Sequence, residues 1–390
     1  MRKRSNLRGQ AVAIGVMLGA GGLAVLWGAL TFFPSRGLTY MAGEQANLSG
    51  VGASANPPKP PPPKHIPTPE VVRGIYMTSW VASTIDWRNE LVTLVNETEL
   101  NSIVVDVKDY TGKISFSVSD PVLKNIGSSE NRIRNIRDFV GELHEKNIYA
   151  IARVAVFQDP YFVSLHPELA VQSKRGGVWK DRKGLTWVDA CSKEAWAYTV
   201  RVAKEVEQAG FDELNFDYVR FPSDGDISDM EFRNCLPNET KTDALESFFS
   251  YLQKNLADLP VPKSVDLFGL TTVETNDLNI GQVLERAAPY FDYIAPMVYP
   301  SHYPNGYDGY KNPANHPYEI IKVAMDTASL RLARATSSPL KLRPWLQDFD
   351  LGATYDAGMI RKEKQAVYDA GIKSWLMWDP SNKYTRGALD

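Results

Sequence analysis

A single (β/α)8 barrel, preceded by a membrane-spanning segment and a proline-rich tether, is the architecture that this 390-residue sequence predicts. Three observations carry that reading. Eight short segments rich in β-branched and aromatic residues recur from residue 72 onward, and helical patterns lie between them. The glycine-rich nucleotide turn of a doubly wound open sheet, the competing arrangement, is absent.

The strand segments are VRGIYMTSW (72–80), NSIVVDVKDY (101–110), IYAIARVAVFQD (148–159) and DELNFDYVRF (212–221), then SVDLFGLTT (264–272), DYIAPMVYP (292–300), LRPWLQDF (342–349) and IKSWLMWD (372–379). Between them, IRNIRDFVGELHEK places Ile133, Ile136, Phe139, Val140 and Leu143 on one helical face. DALESFFSYLQKNLADL does the same with Leu245, Phe248, Phe249, Leu252 and Leu256, and Asp243 with Glu246 resembles a capping box. Helices near 192–209 and 357–370 each stop at a glycine, Gly210 and Gly371. Eleven residues follow Asp379, so the last barrel helix must be short.

The amino-terminal part reads differently. Residues 10–33 carry no charge, and an apolar run above about 18 residues can cross a bilayer. Arg2, Lys3, Arg4 and Arg8 precede it, so residues 1–9 are expected in the cytoplasm and everything after Phe33 outside. A cleavable signal peptide, which would release the protein, is the shorter alternative. Residues 34–70 include ANPPKPPPPKHIPTPE and predict an extended, disordered tether at about 3.1 Å per residue, ahead of a domain over 71–390.

Charge excludes some functions. The sequence has 43 basic and 46 acidic residues, and setting aside the four amino-terminal cations leaves 39 against 46. An acidic body without a basic, aromatic-laced stripe is a poor partner for nucleic acid. There is no CxxC, HExxH or HxH, so no metal or cofactor is expected. Cys191 and Cys235 are the only cysteines, and outside the cell they are either bonded or two free thiols.

Barrel enzymes carry their reactive groups at the carboxyl ends of strands. Here those ends read DVKDYTG, DYVRFPSDG, TTVETND, MVYPSHY, WLQDFD and MWDPSN, a mixture of acids, amides and aromatics suited to a sugar. Alternation turns Ile103, Val105 and Val107 toward the helices and Asp106 and Lys108 inward. Leu214 and Phe216 likewise send Asn215 and Asp217 inward. Asp106 is expected to pair with Arg153 or Lys108 as a structural ion pair. Asp217, just before its strand breaks, is either a reactive carboxylate or the salt-bridge partner of Arg220.

The stretches VVDVKDYTGKISF, RVAVFQDP, HPELAV, WKDRKGLTWVDACSKEAW, FDELNFDYVRFPSDG, IAPMVYPSHYPNGYDGYKNP and RPWLQDF resemble the bacterial putative glycoside-hydrolase domain family, allied to the α-amylase-like barrel superfamily. The resemblance covers nearly all of 71–380 and implies hydrolysis of a polysaccharide or oligosaccharide. It implies Asp217 as nucleophile, Glu274 as acid/base and Asp348 as a third aspartate, with Asp277 and Asp379 in reserve, and a retaining reaction. Asn215 stands where amylases carry arginine. Asp109, Arg220, Tyr299, His302, Gln347 and Trp378 are expected to line the sugar cleft, Arg220 keeping Asp217 charged. Trp345 and Tyr218 are further aromatic candidates, and a Cys191–Cys235 bond would tie neighbouring loops. A non-catalytic glycan-binding barrel is the alternative, whereas a metal-dependent deacetylase or phosphodiesterase lacks its histidine clusters.

Overall fold

The computed structural model describes residues 62–390. The expected cytoplasmic tail, membrane segment and residues 34–61 of the tether lie outside the described residues. Among the described residues no helix is long and apolar enough to cross a membrane.

Eight parallel strands close a barrel in chain order: β1 (Arg73–Met77), β2 (Ser102–Lys108), β3 (Tyr149–Ala155), β4 (Glu213–Asp217), β5 (Lys263–Phe268), β6 (Tyr293–Met297), β7 (Trp345–Gln347) and β8 (Trp375–Trp378), with β8 pairing back onto β1. Each falls within a residue of a segment read from the sequence. Helices cover the strands at Ile85–Asn96, Ile136–Glu145, Lys193–Gln208, Lys241–Asn255, Pro317–Arg334 and Ala357–Asp369. Gly210 and Gly371 follow two of them at φ of 104° and 80°, a left-handed conformation that glycine adopts without strain. The start of Lys241–Asn255 differs from expectation. Thr240 is the cap, accepting from the Asp243 amide and donating to the Asp243 carboxylate at 2.6 Å, while Glu246 binds Arg286 and Tyr290. After β8 only the turn Arg386–Ala388 remains, and Thr385 is held by both oxygens of Asp348.

Two apolar layers hold the barrel. Ile103, Val105, Val107, Leu214, Phe216, Val265 and Leu267 face the helices, while Tyr76, Val104, Ile151, Ala295, Trp345 and Leu376 pack inside. Each apolar side chain buried in these layers stabilises the fold by about 25 cal/mol per Å² removed from water. At the base, Arg343 grips Glu213 at 2.9 Å, with Ser264 and Tyr149 bonded to the same carboxylate. Residues 63–70, expected in the tether, lie against this end of the barrel. Ile66 packs on the inner cluster and donates its amide to Asp212 at 2.9 Å, and Thr68 bonds Tyr149 at 3.0 Å.

The chain between β3 and β4 makes an excursion whose strand Gln172–Ser173 pairs antiparallel with Met230–Glu231 from the loop after β4. Cys191 and Cys235 are joined as a disulfide across the same two connections, with Cα atoms 4.9 Å apart. Among the described residues the one metal-like grouping is Asp189 with these two sulfurs, which the bond occupies. A cross-link over 44 residues restricts the unfolded chain, so Cys191→Ser with Cys235→Ser should cost about 2–4 kcal/mol. Urea denaturation of the double variant checks this value.

Candidate active site

One guanidinium organises the carboxyl end of the barrel. Arg153 on β3 pairs with Asp106 on β2 at 3.1 Å, with Asp217 on β4 in a short contact, and with Asp266 on β5 at 3.6 Å. All four side chains are buried. Alternation explains why they meet, because each occupies an inward position on a neighbouring strand. The Tyr76 hydroxyl donates to Asp106 at 2.9 Å, and Asn215 and the Trp345 indole donate to Asp266 at 2.9 and 2.8 Å.

A single cation cannot offset three carboxylates, so protons are retained. Burial pushes Asp266 up to about 8, with the charge of Asp217 adding and Arg153 opposing. Burial likewise raises Asp106 to about 6 against the pull of Arg153. Burial therefore favours the protonated form of Asp266 beside the salt-bridged Asp217. That juxtaposition is what acid/base chemistry on a glycosidic bond requires.

The backbone is strained where Asp217 ends its strand. Tyr218 has φ of 53°, an arrangement that costs a bulky residue about 1–3 kcal/mol. Its amide donates to the Asp217 carboxylate at 2.6 Å, which fixes both the turn and the carboxyl orientation. Aromatic faces surround the cluster. Trp378 stacks on Tyr76 with centroids 3.9 Å apart, and Arg153 lies 5.1 Å from the Trp378 ring. Tyr299 is 5 % exposed and its hydroxyl is raised by burial first and by Asp266 second.

Several expected residues take other roles. Arg220 does not bind Asp217. Its guanidinium lies between Trp187 and Phe268, each 4.7 Å away, and donates to the Phe221 carbonyl and Ser223 hydroxyl. The cation on Asp217 is Arg153. Lys108 does not face inward with Asp106, because the β2–β3 ladder shifts register between these two residues. It bonds Ala155 and pairs with Asp159 instead. Glu274 is exposed and accepts from Asn276, beyond the short turn that follows β5. Asp277 binds the amide of Asn279, and Asp379 binds that of Ser381.

Asp348 is buried and raised to about 6, first by that burial, but Thr385 takes both oxygens. Gln347 is fully buried, with its amide spent on Ser301 and the Phe349 carbonyl. Asp109 binds Arg132 at 3.0 Å and the Thr111 amide. Burial lowers His302 to about 4, so it is neutral at pH 7, bonded to Ser301 and edge-on to Tyr299. Asp266 lies within its strand rather than at its end, so the strand-end motifs do not include it. The alternation in SVDLF, with Val265 and Leu267 outward, was the signal that locates it.

The barrel architecture recurs in a known structure. The glycoside hydrolase domain of PgaB (BpsB) from Bordetella bronchiseptica aligns at TM-score 0.60 and 13 % identity, over 82 % of this chain and 99 % of that one. A hypothetical protein from Ruminiclostridium thermocellum ATCC 27405 is 34 % identical over 49 % of this chain and 96 % of its own, at TM-score 0.46. A class V chitinase from Pseudomonas fluorescens Pf-5 aligns at TM-score 0.49 and 13 % identity, over 82 % and 98 % of the two chains. No curated protein matches the chain. Residues 74–384 match one family model, so the chain belongs to the family described as "Putative glycosyl hydrolase domain" and is an enzyme of the glycosidase type.

Proposed function

We propose that the protein is a cell-surface glycoside hydrolase that cleaves O-glycosidic bonds of a polysaccharide or cell-wall glycan, held at the membrane by residues 10–33. The observation that supports this reading is the sharing of Arg153 by Asp106, Asp217 and Asp266 at the carboxyl end of the barrel. Asp217, ending β4, attacks the anomeric carbon. Asp266 is the proton-bearing partner, giving its proton to the leaving oxygen and taking one from the water that releases the sugar. Carboxyls that share a guanidinium are held close together, which favours the spacing of a retaining pair, about 5–5.5 Å, over that of an inverting pair. Tyr76, Trp378 and Tyr299 supply apolar faces for the sugar ring.

The test incubates the purified protein with bacterial and plant glycans and follows new reducing ends together with their anomeric configuration. Release with retained configuration, reduced about 100-fold or more in Asp266→Asn, is expected. Unchanged release by that variant would remove Asp266 from the reaction. Binding without release by the wild type would mark a glycan-binding barrel. The anchor is tested separately by fractionation, and recovery of a soluble exported chain beginning after residue 33 would overturn it.

A further inference from the structure

The acidic body carries one strongly basic arm. Residues 172–188 contain Lys174, Arg175, Lys180, Arg182 and Lys183 against a single acid, Asp181. All five cations are exposed. The carboxylate of Asp181 is consumed within and beneath the arm. It accepts from the Lys183 and Leu185 amides at 2.9 Å, from the Trp187 indole at 3.0 Å and from Gln158 at 3.2 Å. Arg175 pairs with Asp226 and Asp229, and Lys174 bonds the Ser228 carbonyl. Among the described residues, Lys180, Arg182 and Lys183 have no acid within 4.0 Å.

Arg220 lies at the foot of this arm. It is 4 % exposed, its guanidinium contacts Trp187 of the arm, and no carboxylate among the described residues lies within 4.0 Å of it. Only its Nη1 has hydrogen bonds, to a carbonyl and a hydroxyl, so Nε and Nη2 retain unused donors. The charges of Asp217, Asp224 and Asp181 act on it from beyond hydrogen-bonding distance, so its free donors are open to a further anion, and a planar guanidinium is shaped to receive a carboxylate in two parallel bonds. Its neighbours Phe268, ending β5, and Tyr218, following Asp217, place it at the same barrel end as Asp217. The half-buried Asp224 faces this group and also senses Arg182 and Lys183.

We propose that the glycan bound here is anionic, with one sugar carboxylate docking on Arg220 and neighbouring carboxylates running along Lys180, Arg182 and Lys183. This inference rests on the glycoside-hydrolase reading of the same barrel end and assigns its substrate class. A long anionic polymer suits an arm of separate exposed cations, each weak alone but additive along a chain.

The test measures binding by the full chain carrying Asp217→Asn, so that bound polymer is not consumed. The probes are polygalacturonate and an alternating glucuronate–N-acetylglucosamine polymer, each beside its carboxyl-reduced form. At least one acidic polymer should bind about tenfold or more tightly than its reduced form, with the gap closing as salt rises. Replacing Lys180, Arg182 and Lys183 together by Gln on the exposed arm should erase most of the gap without changing Tm. Arg220→Gln, added to the arm variant, should remove what remains of the gap. Equal affinity for both forms, binding of neither, or a preference that survives the arm variant overturns the inference. Cleavage of neutral polymers by the wild type, with no preference for acidic ones, would overturn it and leave the glycosidase reading standing. Acid-selective binding without any cleavage by the wild type would support it and overturn the glycosidase reading.

Discussion

Asp217→Asn should lower glycan cleavage about 10³–10⁴-fold while leaving the folded barrel almost as stable as before. The replacement has the same shape, so the Tyr218 amide can still bond an oxygen at this position. It removes one of three carboxylates competing for the Arg153 guanidinium, a site with more negative charge than its cation offsets. The lost ion pair and the relieved repulsion therefore oppose each other, and Tm should move by only a few degrees. Initial rates of reducing-end release, with thermal unfolding of the same preparations, separate a chemical effect from a folding one. Glu274→Gln, on an exposed side chain, should leave rates within about twofold. Asp348→Asn should act through Thr385 and cost about 1–3 kcal/mol of stability. A rate loss confined to Glu274→Gln, with Asp217→Asn active, would reverse the assignment.

The contrast between Asp217 and Glu274 shows what the sequence makes legible. Period-two alternation fixed which way Asp106, Asn215 and Asp217 point, because a strand with one face on the helices has no freedom to slip. The same rule applied to SVDLF places Asp266 inward. Looking instead for acids at the end of that segment leads to Glu274, beyond a short turn that the sequence does not delimit. Lys108 fails the rule for a different reason, since a register shift in mid-strand reverses parity and nothing local announces it. Arg220 shows the limit for charged partners. Three positions from Asp217 looks close along the chain, yet Tyr218 in the left-handed region redirects the backbone and sends Arg220 between two aromatic rings. The partner of Asp217 comes from the next strand, 64 residues away, and only closure of the barrel brings it there. Residues 63–70 read as tether because proline dominates their composition, although Ile66 and Thr68 find partners on the barrel base.

Arg153→Met should destabilise the protein by about 3–5 kcal/mol near pH 8, because it leaves three buried carboxylates without their cation. The effect should shrink as pH falls. Asp266 is raised to about 8 and Asp106 to about 6, first by burial, both above the ordinary carboxylate value near 4. A raised carboxyl binds its proton more strongly in the folded chain than in the unfolded one. Its stabilising protonation is therefore complete below about pH 4 and is lost as pH rises to about 8 for Asp266 and about 6 for Asp106. Arg153 opposes that loss in the wild type by favouring the charged forms, so removing it raises both groups further. Urea denaturation at pH 5, 7 and 8 should show the variant approaching wild-type stability at the acid end and diverging from it at the alkaline end. Adding Asp266→Asn to Arg153→Met should recover part of the lost stability at pH 8 and little at pH 5, where Asp266 is already neutral. A deficit equal at all three pH values would mean that Arg153 contributes packing against Tyr76 and Trp378 rather than charge. The cluster would then be a structural plug, and the proton assigned to Asp266 would no longer be available for chemistry.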